Sequence, residues 1–415
     1  MQIVIIAGGE GKRMKPLTTH KSLYPFLGQP LIAHLFPHLD TKQNQVLVVT
    51  SPDSLDSFQS ALADYQVDYC VQKEPNGMAG ALIAAEGKLD SKSPILVISA
   101  AKLQESSTYS LMLDAISQNP NTAILAAREV AKYKDGGYMR LEGDKVVEIV
   151  EKPGEANMPS NYYKLILDYF PVASEFIDHL KNAKTEKDDV YEVGLTNYLK
   201  EIGANMIVVS GSHVSIKHAY NILDVMNMAL TTLLVPGIAG TASVSKSAVI
   251  TGDVMIDEGA TILENVVIKG PAYIGRDVVI GNGTLVRESC IEEGSKIGYG
   301  SEIARSYLGP GTKGHMMYVG DSIIEGNVNL SAGTVLANYR FDHKVVDLAM
   351  PAGRVSSGRK KMGSIIAKDT ITGVNSSLMP GTVVGSHVTI GSGCVVKGFI
   401  PDGSMVQPII ANYEK

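Results

Sequence analysis

The sequence predicts two folds in tandem: an α/β domain of Rossmann-like type, then a left-handed parallel β-helix. Two observations carry the prediction. Short apolar runs alternate with helix-like segments through the first 218 residues, and from Val244 an aliphatic residue recurs every six positions. Neither a helix, with a period of about 3.6, nor a strand, with a period of two, yields a six-residue repeat. A flat three-sided coil does, with one hexad per side.

The inward aliphatic positions are Val244, Ile250, Ile256, Ile262, Ile268, Ile274, Ile280 and Val286. Four residues after these come Ala248, Val254, Ala260, Val266, Ala272, Val278 and Thr284, which pack inside near the corners. Gly, Asn and Asp between them supply the backbone freedom that each corner needs. The pattern continues, with five-residue steps, through Ile291, Ile297, Ile303 and Leu308. It resumes at Ile324, Leu330 and Leu336, and again at Val384, Ile390 and Val396. Between roughly Asn338 and Gly363 it breaks, so NYRFDHKVVDLAMPAGRVSSGRKKMG is expected to be a loop or arm leaving the prism. A hexapeptide β-helix is usually trimeric, with active sites between neighbouring prisms, so a homotrimer is expected. Ahead of the repeat, residues 219–237 read as a helix ending at Pro236-Gly237 that bridges the domains. The expected division is therefore 1–218 for the α/β domain, 219–240 for a linker helix and 241–415 for the β-helix.

In the first part, QIVIIAGG is an apolar run entering a glycine-rich loop. ILVISAA, TAILAAREV, KVVEIVEKP and MIVVSGS are further strand candidates. SLDSFQSALADY, AGALIAAEGKL and YSLMLDAISQN are helix candidates lying between some of them. This alternation implies a mostly parallel sheet with ligand at the carboxyl ends of its strands.

Composition narrows the function classes. At 415 residues, with 45% hydrophobic and 19% charged content, the chain is globular and long enough for two or three domains. A formal net charge of −6 gives no compositional support for nucleic-acid binding. Cys70, Cys290 and Cys394 are far apart and none sits in a C-x-x-C, which argues against a disulfide framework and against zinc. MQIVIIAGGEGKR lacks the features of a signal peptide, and no segment approaches the ~20 apolar residues of a membrane helix. No membrane partner and a cytoplasmic location are expected.

The loop Gly8-Gly9-Glu10-Gly11-Lys12-Arg13-Met14-Lys15-Pro16 is the first chemical feature. Its glycines let main-chain N–H groups approach a phosphate or base edge closely. Lys12, Arg13, Lys15 and, past the turn, Lys21 gather positive charge there. A tight structural turn is the alternative. The position directly after the first strand, with four basic residues, points instead to a triphosphate. No G-K-[ST] follows, so it is not a Walker loop.

At this point the residues resemble a known family. AGGEGKRMKPLTTHKSLYPFLGQPLI is similar to the signature of sugar-1-phosphate nucleotidyltransferases, roughly A-x-G-x-G-T-R-M/L-x-P-L-T-x-x-P-K. VQKEPNGMAGAL and EIVEKP resemble that family's Q-x-x-x-x-G-T-A and I-x-E-K-P regions. EIARSYLGPGTKGHMMYVGDSIIEGNVNLSAGTVLANYRFDHK (302–344) resembles the acetyltransferase half of bifunctional glucosamine-1-phosphate acetyltransferase/uridylyltransferases, especially the archaeal type. The resemblance implies acetyl-CoA, an amino-sugar-1-phosphate and UTP or another NTP as substrates, in UDP-N-acetylglucosamine synthesis. It implies nucleotide contacts at Ala7, Gly8, Gly9, Gly11, Arg13, Lys21, Gln72 and Gly77, and a sugar contact at Glu151.

The resemblance also implies Mg²⁺, held by one Asp after a central strand and a second Asp or Asn near the domain's end. Here Ala101 and Ile216 stand at those positions, so no metal ligand is expected among them. The family's G-Y-G reads Gly137-Tyr138-Met139, and its N-A-G strand reads Lys164-Leu165-Ile166. A weak or inactive nucleotidyltransferase that still binds nucleotide is the expectation. Glu105 is the nearby group that offers a metal an alternative oxygen.

In the second half the G-H-x-x-Y-x-G-D match, Gly314 to Asp321, puts His315 at the family's proton acceptor. Acetyl transfer to an amine needs such a base. Arg287, Tyr318, Asn329, Ala332, Asn338, Tyr339 and Lys344 fall on the family's sugar-phosphate and acetyl-CoA contacts. The family's E-[IM]-K reads Glu302-Ile303-Ala304, so one phosphate-anchoring lysine is gone, with Arg305 adjacent. Arg359, Lys360 and Lys361 either reach a phosphate or form a solvated loop. Three readings stand: an N-acetyltransferase carrying a degenerate nucleotidyltransferase domain, a fully bifunctional enzyme, and a non-catalytic regulatory or scaffold subunit.

Overall fold

The computed structural model describes residues 1–187 and 189–408, so the end of the expected third segment, 409–415, lies outside the described residues. The chain divides into two compact units: Met1–Glu10 with Leu31–His213, and Gly11–Pro30 with Val214–Lys415.

Among its described residues, the first unit is built on a nine-stranded sheet. Its strands are β1 (Gln2–Ile6), β2 (Gln45–Thr50), β3 (Asp68–Val71), β4 (Ile95–Ser99), β5 (Ile124–Glu129), β6 (Gly137–Glu142), β7 (Lys145–Glu151), β8 (Tyr162–Phe170) and β9 (Asn205–Val208). Their order is β7-β6-β8-β4-β1-β2-β3, with β5 pairing β8 and β9. The fold is Rossmann-like, but the expectation of a mostly parallel sheet needs correcting. β1 runs parallel to β2 and β4, and β3 to β2, as alternating helices require. β8, however, is antiparallel to β4, β5 and β6, and β6 and β7 form an antiparallel pair. A short Glu142–Lys145 connection is too brief for the crossover that a parallel neighbour demands. Helices α1 (Leu55–Ala61), α2 (Gly77–Ala85), α3 (Ser106–Gln118), α4 (Ala173–Asn182) and α5 (Val190–Ile202) complete the unit. Phe170, Phe176, Tyr191 and Tyr198 close the core where α4 and α5 cover the sheet.

The second unit contains the left-handed parallel β-helix. Among the described residues, three sheets of nine, nine and eight strands form its faces. On one face the inward ladder runs Ile238, Ile256, Ile274, Ile291, Leu308, Ile324, Ile366, Val384 and Ile400. The aliphatic and small residues of the hexads line one continuous interior. The ladder steps from Ile324 to Ile366 because, after the strands Asn329–Leu330 and Val335–Leu336 on the other two faces, the chain leaves the prism as an arm, including the hairpin Asp347–Met350 with Gly353–Ser356. The helix expected over 219–237 is α6 (Ile222–Thr232), part of the second unit; it follows a 3₁₀ turn at Ala219–Asn221 and stops short of Pro236-Gly237. Leu233 N–H still bonds Ala229 O, but the chain then extends, and Gly237–Ile238 is already a strand of the β-helix.

Residues Gly11–Pro30 pack with this second unit. Carboxylates of the β-helix hold them. Glu325 accepts hydrogen bonds from Thr18 N (2.7 Å) and Thr19 N (2.6 Å), and Glu292 accepts one from Gly28 N (3.1 Å). Tyr307 donates to Pro25 O at 3.0 Å and packs against Tyr24 and Phe26.

Candidate functional site

In the first unit, β1 delivers Ala7, Gly8 and Gly9 to the edge of the sheet. Ala7 is buried and its N–H bonds Val49 O. Gly8 is tight against Gln72: a Cβ there would lie 2.4 Å from Gln72 Oε1. Gln72 in turn donates to Asn76 Oδ1 (2.8 Å) and to Gly77 O (3.0 Å). Gly77 has φ +77° and opens α2, a turn that a side chain would strain. Gly8, Gln72 and Gly77 are thus brought together, with the glycine loop packed on the start of a helix.

In the second unit, Gly11 (φ +61°) turns the chain into the short 3₁₀ helix Lys12–Met14. Lys21 opens another such turn. Burial lowers the Lys21 pKa, and the Arg13 charge lowers it further. Burial, Arg13 and Lys217 act in the same direction on His218. Like charges are therefore gathered around Arg13, an arrangement that favours an anion.

A second polar group in the first unit centres on Gly137, Glu151 and Lys164. A Cβ at Gly137 would lie 3.4 Å from Glu151 Oε2 and 3.7 Å from Lys164 Cβ. The Lys164 ammonium is buried and ion-paired with buried Asp168 at 2.6 Å, and Tyr191 donates to the same carboxylate at 2.6 Å. Met139 is fully buried in the core. The sequence missed this Lys164–Asp168–Tyr191 group. Its signal was the i, i+4 Lys/Asp pair on a strand, where period two puts both side chains on one face.

Positions implied for Mg²⁺ do not fit the ion. Ala101 offers a buried methyl group and Ile216 a buried aliphatic side chain. The carboxylate of Glu105 is taken by Ser212 N at 2.6 Å. Among the described residues no group of three or more His, Cys, Asp and Glu is placed to hold a metal.

On the β-helix a groove of about 520 Å³ is lined by His315, Asn329 and Ala332, with Lys296, Lys313 and Tyr299 among its other walls. Strand register stacks Lys296, Lys313 and Asn329 one coil apart. His315 follows the strand Lys313–Gly314 and is exposed. One coil earlier is Gly298, where a Cβ would come within 2.4 Å of His315 Cβ, so the imidazole owes its place to that missing side chain.

Tyr318 and Asn338 meet over Gly320: a Cβ there would lie 2.6 Å from the Tyr318 hydroxyl and 2.5 Å from Asn338 Nδ2. Asp321 binds both Asn338 Nδ2 and the guanidinium of Arg305, the latter through Nε (2.8 Å) and Nη2 (2.7 Å). Arg305 sits at a corner with φ +48°, beyond the strand Glu302–Ala304, so strand alternation does not decide where its side chain points. Arg287 is ion-paired with Glu302. Tyr339 and Lys344 are exposed on the arm, where Tyr339 donates to or accepts from His343 Nδ1 at 2.9 Å. Of the basic run, Arg359 is ion-paired with Asp224 of α6, while Lys360 and Lys361 are exposed. No helix among the described residues is long and apolar enough to cross a membrane.

The model of the Nucleotidyl transferase family matches residues 2–205, and that of the GMPPB C-terminal domain matches residues 250–350. The chain is 30% identical to a bifunctional sugar-1-phosphate nucleotidylyltransferase/acetyltransferase of Sulfurisphaera tokodaii, over 95% of this chain and 97% of that protein. It is 28% identical to a bifunctional protein GlmU of Methanococcus vannielii and 29% identical to one of Methanococcus maripaludis, each over 98% of this chain and 97% of the relative.

Proposed function

The chain belongs to the family of bifunctional sugar-1-phosphate nucleotidyltransferase/acetyltransferases, and from that premise we propose that this transferase works chiefly as an acetyl-CoA-dependent N-acetyltransferase. Its acceptor is an amino-sugar-1-phosphate, glucosamine-1-phosphate, in UDP-N-acetylglucosamine synthesis. The observation that carries the reading is the exposed imidazole of His315 on a groove shared with Asn329 and Ala332.

The chemistry needs little beyond positioning and a base. His315 takes the proton from the acceptor's ammonium, freeing the lone pair. The amine nitrogen attacks the thioester carbonyl, the C–N bond forms, the C–S bond breaks, and the thiolate of CoA leaves and takes up a proton. The Asn329 amide is a donor for the carbonyl oxygen as negative charge develops on it. Lys296 and Lys313, stacked along the same groove, suit the phosphates of CoA. The Tyr318–Asn338–Asp321–Arg305 group suits the hydroxyls and phosphate of the sugar.

The α/β half binds nucleotide without turnover at an ordinary rate. In-line attack on an α-phosphate depends on charge neutralisation, and Ala101 and Ile216 offer no oxygen to a metal. Met139 and Lys164, the latter ion-paired with Asp168, stand at positions implied for the sugar pocket. The packing of Gly8 on Gln72 supports retained nucleotide binding. Exposed apolar side chains on the β-helix and arm, among them Phe341, Val335, Val395, Ile371 and Met316, support self-association as a homotrimer. Three buried free thiols support a reducing cytoplasm.

His315→Ala tests the reading. The variant should lose about 10²–10⁴-fold in acetyl-CoA consumption with glucosamine-1-phosphate. Acetylation at the parent rate would show that the base is elsewhere.

A further inference from the structure

The segment Gly11–Pro30 carries Arg13 and Lys21 but is held by the β-helix. Two side chains do most of this. Glu325 and Glu292 are 5% and 1% exposed. Both stand directly after an inward aliphatic residue, Ile324 and Ile291, on the same face of the prism. At this corner Gly275 and Gly309 occupy the equivalent positions of neighbouring coils. The carboxylates are therefore additions to a corner that the fold closes without them.

Each carboxylate is spent on backbone. One oxygen of Glu325 takes Thr18 N, Thr19 N and the Thr18 hydroxyl, at 2.7, 2.6 and 3.1 Å. Its other oxygen takes Lys368 N at 3.0 Å, which ties the side chain to its own prism. Glu292 takes Gly28 N at 3.1 Å and the Cys290 thiol at 2.9 Å. Gly28 has φ +75°, and a Cβ there would lie 2.6 Å from the Tyr273 hydroxyl, so the turn between the paired strands Pro25–Phe26 and Gln29–Pro30 is seated closely. Between the two anchors Tyr24 and Phe26 are fully buried beside Tyr307. Lys21 lies between the anchored residues, two positions after Thr19, in a turn whose first N–H groups are ordered by His20. Holding Lys21 near Arg13 opposes their mutual repulsion, and burial adds to the cost. An unanchored loop would relax by letting the two cations separate.

We propose that Glu325 and Glu292 are positioning residues for nucleotide binding: from the β-helix they fix the segment that presents Lys21 and Arg13 to a nucleoside triphosphate. The inference rests on the reading of the loop as a nucleotide site and deepens it.

Calorimetric titration of the full chain with UTP, ATP and uridine tests it. The parent protein should bind a triphosphate, and its preference for triphosphate over nucleoside measures the phosphate contacts. Glu325→Met keeps the bulk and loses every acceptor, and should lower triphosphate affinity about tenfold to a hundredfold without changing uridine affinity. Glu325→Gln keeps one acceptor oxygen and should restore most of the loss. Acetyl-CoA consumption should be unchanged in both, showing that the prism is intact. If Glu325→Met and a parallel Glu292→Met bind triphosphate like the parent, the positioning role is wrong. If both lose uridine and triphosphate equally, the carboxylates are structural only and the inference fails. If the parent binds neither triphosphate, the nucleotide reading itself falls.

Discussion

Glu292→Gln should make the second unit less sensitive to pH. Glu292 is almost completely buried, and that burial raises its pKa from 4.5 to about 7 against the opposing hydrogen bonds from Cys290, Gly28 and Leu27. The folded state thus holds this proton more tightly than the unfolded chain. Below pH 4.5 both states are protonated and stability is at its full value. As pH rises from 4.5 towards 7 the unfolded state ionises first, so stability falls; above about 7 both are ionised and the loss is complete. At about 1.4 kcal/mol per unit, the loss amounts to about 3 kcal/mol. Glutamine mimics the neutral acid and has no proton to lose. Relative to the parent, the variant should therefore gain about 3 kcal/mol between pH 4.5 and 8, on the order of 5–10 °C in midpoint for a unit of this size. Denaturation of both proteins across that range, followed as the difference in midpoint, reads the effect. The variant's constant offset does not matter, since only its slope with pH is at issue. Parallel pH profiles would refute the assignment of a buried, proton-holding carboxyl at Glu292.

Two other substitutions probe buried polar groups, one in each unit. Lys164→Met removes the partner of an Asp168 carboxylate with no exposure and should cost about 3–5 kcal/mol in chemical denaturation of the first unit, with Asp168→Asn added to it recovering part of the loss. Asp321→Ala leaves Arg305 and Asn338 without their shared acceptor; because the guanidinium is partly exposed, the stability loss should be only about 1–3 kcal/mol, while the KM for the amino-sugar-phosphate rises more than that for acetyl-CoA.

The β-helix was legible because its geometry imposes one inward side chain per hexad. Ile256, Ile274 and Ile291 announce their stacking directly, and even the arm shows as a gap between roughly Asn338 and Gly363. Five strands of the α/β unit, β1, β4, β5, β7 and β9, are legible as apolar runs; β2, β3, β6 and β8 are not, and neither are the strand directions. Whether β8 runs with or against β4 depends on connections that a local pattern does not encode. The end of α6 was misplaced because Leu233, Leu234 and Val235 continue an apolar run that the backbone leaves after Thr232.

Site residues divide the same way. His315, Tyr318 and Asn338 stand out through the resemblance to a known family, at its proton acceptor and its substrate contacts. Glu292 and Glu325 did not, since an acidic residue at a coil corner reads as solvated surface until a segment some three hundred residues earlier in sequence is seen to cover it. The one local hint was a Glu where Gly275 and Gly309 fill the equivalent corners.

The division of labour between the halves is tested most directly on one preparation, with acetyl-CoA consumption and pyrophosphate release measured side by side. Glucosamine-1-phosphate serves the first reaction; N-acetylglucosamine-1-phosphate with UTP and Mg²⁺ serves the second. The account predicts acetyl transfer that depends on His315, with pyrophosphate release orders of magnitude slower than an ordinary enzymatic rate of about 10 s⁻¹. Pyrophosphate release at that ordinary rate, with Ala101 and Ile216 in place, would contradict it.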